Sequence, residues 1–393
     1  SRREDLREYG GSMAALFEFD KINSVFGLIS LGVTIATVIG MPRYSDRCSL
    51  WRTAYFGVTS LGIFFAAQPA LMLGFWVLNI LPNFAVRRAG KWQLQWRERP
   101  AFFWYQLVAM AAFLVATIVG QNDATSMLAG GLFLLAGLAR QGIFPFHSFV
   151  PEFYRRAPWN AVLGYANAPV GIFILLRYAL PHFAAEVSVY QNELTAALVA
   201  AAFYFVALAS VQKNLRSVFA WITLAHVSLA LLCMVRGGDV GEAGMFLHIA
   251  SGWLALSGLG ILIWSFEERA GANNFSDTGG MAQPMPVLAA LFLVFGLAQA
   301  HIPASIGFIS EDIIAHEVIE GSLVSALLVL SVTCLAAIAI YRAYLLTFLG
   351  EANQVVSSRD LRIRQRLVLG GLLMALLAGG LFPQYLINAL QLF

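Results

Sequence analysis

The chain has 393 residues, 59% of them hydrophobic and only 12% charged, with a formal net charge of +3. Its mean hydropathy of +0.72 and apolar share lie far above a soluble domain, where about 45–50% of residues are apolar. A soluble enzyme is therefore excluded, and nothing in the charge pattern suggests nucleic acid.

A membrane span needs about 20 mostly apolar residues. The polar segment 1–19 opens on Ser1 without Met or a signal-peptide pattern. The expectation is that the natural N-terminus, with further helices, precedes it. A leading segment 20–53 contains the apolar run 22–41. A first group, 54–180, contains runs 54–68, 70–86, 101–120, 126–149 and 159–180. A second group, 181–349, contains 194–211, 218–235, 242–265, the interrupted 285–320 and 323–349. The last section, 350–393, has a loop and the run 367–391. These runs are about twice the length of barrel strands and do not alternate, so helices are required.

Two runs are broken. In the first, Arg140-Gln141-Gly142 precedes Pro145 and His147; in the second, His301 and Pro303 precede Glu311 and Asp312. Each break falls in the fourth run of its five-run group. Five is odd, so consecutive units enter the membrane from opposite sides, which makes an inverted repeat. Paired interrupted helices in corresponding places point to an ion pathway, and ionisable groups at bilayer depth are functional candidates. The fold expected is an all-α polytopic membrane protein of about twelve transmembrane helices in two inverted five-helix repeats, with two broken helices.

Alternate connections carry about seventeen basic residues, among them Arg155, Arg156, Lys213, Arg216, Arg269, Arg364 and Arg366, whereas the others carry essentially Arg236. The positive-inside rule then puts the basic connections in the cytoplasm and both termini outside. The stretch 270–283 reads as a polar, glycine-rich cytoplasmic linker. Cys48, Cys233 and Cys334 stand singly without metal spacing, which implies inert packing thiols.

Phe144-Pro145-Phe146-His147, Val150-Pro151-Glu152, Ala157-Pro158 and Leu175-Leu176-Arg177-Tyr178 resemble the signature of the antiporter-like proton-conducting subunits. These occur in respiratory complex I, membrane-bound hydrogenases and Mrp-type antiporters, and in the membrane subunits of DAB-type inorganic-carbon accumulators. The stretch from Gln212 to Trp221 with His226, then His248, then Gly307-Phe308-Ile309-Ser310-Glu311, is similar to later motifs of that family. The resemblance implies a fourteen-helix fold of which this chain would lack the first two. It also implies a multisubunit complex in a bacterial inner membrane. Val77 stands where the family has a Glu, Arg140 where it has a Lys, Asn167-Ala168-Pro169 where a titratable group is usual, and Gly252 near a further Lys.

A relay needs groups that gain and lose protons. Arg stays protonated, so Arg140 can act as a fixed countercharge, or as a structural charge paired with a neighbouring helix. Glu311 can titrate when buried, and histidines relay near neutral pH. The candidate pathway is Arg140, His147, His226, His248, His301, Glu311 and Asp312, with the breaks at Pro145 and Pro303. His147 could instead cap a helix, His226 could satisfy a buried carbonyl, and Glu311 with Asp312 could be solvated at an interface. No metal or redox cofactor is expected, since no spacing fits haem, iron–sulfur or flavin, and no active site of its own is expected. The reading is proton conduction coupled to a partner, including a soluble catalytic subunit, that performs redox chemistry or inorganic-carbon uptake. The rival is a structural membrane anchor for such a partner, without ion flux.

Overall fold

The computed structural model describes residues 16–42, 47–88, 91–94, 100–120, 126–319, 321–351 and 360–392. Most of the polar segment 1–19 and of the loop after 350 lie outside the described residues.

Each apolar run becomes a helix or an interrupted helix. Helix α1 (Lys21–Gly40) starts where the Asp20 carboxylate accepts the Asn23 N–H at 2.8 Å, an N-cap. It is followed by α2 (Arg47–Phe65) and α3 (Pro69–Ile80). The backbone then forms a short antiparallel hairpin, β1 (Ala85–Arg88) and β2 (Lys91–Leu94), which the hydropathy pattern did not announce. Helices α4 (Pro100–Val119) and α5 (Ser126–Gln141) pack side by side and lead into α6 (Phe149–Arg156).

The next span is built from α7 (Trp159–Ala166), α8 (Val170–Ile174), a π turn at 175–179 and α9 (Leu180–Val189). The second half contains α10 (Gln191–Ser210), α11 (Leu215–Arg236), α12 (Gly238–Ala270), α13 (Pro286–Gln299), α14 (Ile306–Ile319) and α15 (Leu323–Phe348). Helices α16 (Ile363–Leu381) and α17 (Pro383–Leu392) close the chain. Among the described residues, nine helical segments are long and apolar enough to cross a bilayer, and two shorter apolar helices accompany them.

Helix α12 is the hub. At 33 residues it is about 50 Å long, beyond the roughly 30 Å of a bilayer core. It packs against α1, α7, α11, α13, α14 and α16.

Both expected breaks are present. Helix α5 ends at Gly142, whose φ of 73° needs glycine, and a Cβ there would also sit 2.3 Å from Val150 Cγ2. Pro145 lies in the turn that follows. Helix α13 stops at Gln299, and the chain passes through His301 (φ 52°), Pro303 and Ala304 (φ 70°) before α14 begins. Left-handed conformations at two non-glycine residues cost of order 1–3 kcal/mol each and persist only where packing over-determines them. A third interruption, at Asn167–Pro169, was not expected as one. There the Trp253 indole donates to the Ala166 carbonyl at 2.6 Å, and Gln141 Oε1 accepts the Gly171 N–H at 3.0 Å. Irregular backbone at membrane depth is thus satisfied by side chains from neighbouring helices.

The two ends of the bundle differ in charge. The C-termini of α1, α6 and α12 meet the N-termini of α11 and α16, as the bonds Gln365 to the Gly40 carbonyl (3.0 Å), Arg269 to Gln365 (2.9 Å) and Arg216 to the Tyr154 carbonyl (3.1 Å) record. Arg155, Arg156, Arg216, Arg269, Arg364 and Arg366 gather there. At the other end Arg177 pairs with Glu18 and Asp20, and Lys21 lies 2.9 Å from Glu242.

Candidate functional site

The second half assembles a buried polar centre from four helices and a break. His226 comes from α11, His248 from α12, His301 from the break before α14, Glu311 from α14 and Thr333 from α15. All three histidines and Glu311 are buried. Ring centroids lie 4.3 Å apart for His226 and His248, and 5.2 Å for each of them with His301. His301 Nδ1 stands 3.2 Å from Glu311 Oε2, and the Thr333 hydroxyl donates to the other carboxylate oxygen.

Local backbone explains the geometry. The left-handed turn at His301 aims its ring back along α14, where Gly307 leaves room: a Cβ there would sit 2.5 Å from His301 Cδ2. Gly252 does the same for His226, since a Cβ at 252 would come within 2.1 Å of His226 Nε2. The histidine ring occupies the space into which a side chain at 252 would project.

Hydrogen-bond accounting fixes part of the protonation. His248 Nε2 lies 3.2 Å from the His226 carbonyl, which can only accept, so Nε2 carries the proton. An ionised Glu311 likewise accepts from His301 Nδ1–H. That bond can also hold its proton on the carboxyl, so His301 and Glu311 can exchange a proton without moving apart. A cavity of about 20 Å³ touches His226, Gln299, His301 and Thr333, large enough for a single water. His226 Nε2, His301 Nε2 and both amide atoms of Gln299 are buried without a protein partner.

The first half is built differently. Arg140 is fully buried at the end of α5, with its guanidinium 4.3 Å from the centre of the Tyr165 ring. The Tyr165 hydroxyl donates to the Arg140 carbonyl. Among the described residues no carboxylate pairs with Arg140, and its Nε and Nη1 lack protein partners. The charge is paired with a neighbouring helix through an aromatic ring, Tyr165 of α7, by cation–π attraction and not through a carboxylate. Further polar groups here do not titrate. Asn167 donates to Thr37 at 3.1 Å, Thr37 lies 3.5 Å from Ser257, and Asn79 donates to Thr59 at 2.8 Å and Ser60 at 3.2 Å. Val77 is 43% exposed and faces outward, and the amide that α3 turns inward is Asn79, beside the buried Trp76 and Ile80.

Two expected pathway residues stand apart. Asp312 is exposed, 3.6 Å from the exposed His316, because adjacent helical residues point about 100° apart and Glu311 takes the inward direction. It is not part of the buried centre. His147 sits half-buried in the 3₁₀ turn after Pro145, among Phe144, Tyr204, Phe205 and Trp221 rather than beside the other histidines. Trp221 is partly buried against these rings, whereas Trp51 and Trp104 are exposed.

Sequence reasoning passed over other groups. Gln299, Ser310 and Thr333 complete the centre, and each is a polar residue interrupting an apolar helix, which was the available signal. Arg216, one of the basic residues of the alternate connections, does more than add charge there: it pairs with Glu267 at 2.6 Å with both side chains 12% exposed, lies 4.7 Å from the Trp159 ring centre, and borders a polar cleft of about 830 Å³.

Residues 99–338 match the family described as NADH:quinone oxidoreductase/Mrp antiporter, transmembrane. Similar curated proteins include NADH-quinone oxidoreductase subunit M of Rickettsia bellii, 24% identical over 64% of this chain and 51% of that protein. Subunit N of Ruthia magnifica is 24% identical over 98% of this chain and 86% of that protein. The chain thus spans about half the length of the first of these relatives. Among solved structures, a chain of respiratory complex I from Thermus thermophilus superposes with a TM-score of 0.84 at 22% identity, covering 95% of this chain and 84% of that one. A chain of the Mrp complex from Dietzia sp. gives 0.84 at 15% identity, covering 95% and 83%. The fold is that of the antiporter-like subunits, and with the family match over most of its length this membrane protein belongs to the NADH:quinone oxidoreductase/Mrp antiporter transmembrane family.

Proposed function

We propose that this chain is a proton-conducting, antiporter-like subunit of a multisubunit complex in a bacterial inner membrane. Protons pass through the centre His226, His248, His301 and Glu311. The observation that carries the reading is the buried His301–Glu311 hydrogen bond on a broken helix, with Thr333 on the other carboxylate oxygen. Ionisable groups in series at membrane depth are expensive to maintain without a transport role. Arg140 acts as a permanent cation that shapes the potential along the path. The basic end of the bundle faces the cytoplasm, which places both ends of this chain outside. The two halves correspond to inverted five-helix units at 54–180 and 181–349.

In this reading the driving reaction belongs to a partner that includes a soluble catalytic subunit. The partner performs either redox chemistry or inorganic-carbon uptake of the DAB type. The polar cleft beside Arg216 and Glu267, at the cytoplasmic end, is where protons have access from that side. Gentle purification from the native membrane should bring the catalytic subunit along. The complex in proteoliposomes should move protons in step with that subunit's reaction, and a Glu311→Gln complex should assemble without moving them. Undiminished proton movement by Glu311→Gln would remove this centre from the mechanism.

One observation favours a second reading, in which the chain is a structural anchor without flux. The first half offers an arginine and a set of amides and hydroxyls where a relay wants titratable groups. Absence of proton movement in the unmutated, catalytically active complex would select that reading.

A further inference from the structure

Sequence spacing gave no reason to expect a metal, but the fold brings ring nitrogens of His226, His248 and His301 within 4.8 Å of one another. We infer that these three histidines form a binding site for a divalent cation of the zinc class, with the cavity beside Gln299 and Thr333 as its open fourth position. Lone-pair accounting carries the argument. His301 donates through Nδ1 to Glu311, which leaves its buried Nε2 as a lone pair without a protein partner. His248 donates through Nε2 to the His226 carbonyl, so its Nδ1 is the lone pair. That atom faces Ser310 Oγ at 3.3 Å, and the Ser310 hydroxyl also lies 2.8 Å from the Gly307 carbonyl, so its single proton serves one of the two. With that proton on the Gly307 carbonyl, the His248 Nδ1 lone pair is free to take a cation. His226 Nε2 is a third buried nitrogen without a protein partner.

Three neutral imidazoles with an open position are a common zinc donor set, and a carboxylate behind one histidine is the usual means of orienting it. Glu311 does this for His301 and supplies one negative charge. Tetrahedral coordination at about 2.0–2.1 Å sets the nitrogens roughly 3.4 Å apart, so the rings must rotate inward. Water or a fourth ligand fits the cavity of about 20 Å³. A bound metal ties up the lone pairs that would accept protons, so loading the site blocks conduction. Binding itself is read without a gradient and so does not depend on the proposed function.

The test uses the whole purified complex, stripped with chelator and titrated with Co²⁺ and Zn²⁺. The expected result is one ion per copy of this chain, with the intense visible absorption of a four-coordinate cobalt centre. His301→Asn and His248→Asn should each abolish it, Glu311→Gln should weaken affinity by roughly 10–100-fold, and the exposed His316→Gln should leave it unchanged. If the histidine variants fail to assemble, X-ray absorption at the zinc edge of the unmutated complex decides, with imidazole scatterers at about 2.0–2.1 Å expected. Absence of stoichiometric binding, binding indifferent to the histidine substitutions, or an oxygen-only shell would overturn the assignment.

Discussion

The two halves of the chain solve the same problem, a break in a membrane helix, with opposite chemistry at the break. At Gly142–Pro145 the buried ionisable group is Arg140, which never releases its proton and lies against the Tyr165 ring, while His147 after the break stands half-buried among aromatic rings. At His301–Ala304 the break itself carries a histidine, hydrogen-bonded to a carboxylate and surrounded by two more histidines. A broken helix provides polar backbone and space in both places, but among the described residues only the second joins that space to a buried cluster of groups able to change charge. The break is thus a necessary feature of a pathway and an insufficient one. What titrates beside it decides whether protons can use it.

That contrast can be broken by mutation. The largest effect should come from Glu311→Gln, which keeps the shape and removes the charge change. Conduction by the reconstituted complex should fall to background while assembly on native gels is retained. A conducting Glu311→Gln complex would mean the second half is no different in kind from the first.

Next comes the contact that joins the halves. Arg216, from the second half, donates to the Tyr154 and Ala157 carbonyls of the first and pairs with Glu267. Arg216→Ala leaves Glu267 as a largely buried unpaired charge, a loss of about 3–5 kcal/mol. It should show as a marked drop in the thermal stability of the complex. A change within error would mean that the pair is hydrated and the halves are held by apolar packing alone.

A smaller effect is expected at Gly252. Gly252→Ala puts a methyl against His226 Nε2 and displaces the ring, at an overpacking cost of about 1–3 kcal/mol. Conduction should fall several-fold, more than it does for Gly370→Ala, where a Cβ meets nothing within 4 Å. Equal behaviour of the two variants would separate His226 from the relay.

The smallest effect should come from Arg140. No carboxylate is orphaned by its removal, so Arg140→Met exchanges a costly buried cation for an apolar side chain of similar length. Such replacements are often neutral or stabilising. The variant should assemble with unchanged or higher melting temperature and keep most of its conduction. Failure to assemble would show that the packing against Tyr165 needs the charge.

Much of this was legible in the sequence. Every apolar run became a helix or an interrupted one, because bilayer thickness leaves few ways to bury twenty apolar residues. Pro145 and Pro303 marked real breaks, since proline removes a donor and clashes with the preceding turn. The third interruption was less visible. Pro169 was noted, but only as a position without a titratable group. The outward direction of Asp312 was in principle readable from the helical period, and Val77 likewise, once helix boundaries are known.

The sequence by itself determined the membrane class, the helix order, the two main breaks and the place of Glu311 within an interrupted apolar segment. Those are local properties, set by hydropathy over one span and by the geometry of proline and glycine. Only the tertiary structure decided which polar groups meet. His226, His248 and His301 lie on separate elements tens of residues apart, and nothing in their spacing encodes a shared centre. Whether Arg140 found a carboxylate or an aromatic ring was equally a question of which helix packs beside α5. Helix packing in a membrane is set by shape and small-residue contacts spread over whole faces, so the partners of a buried charge emerge only when the faces are assembled.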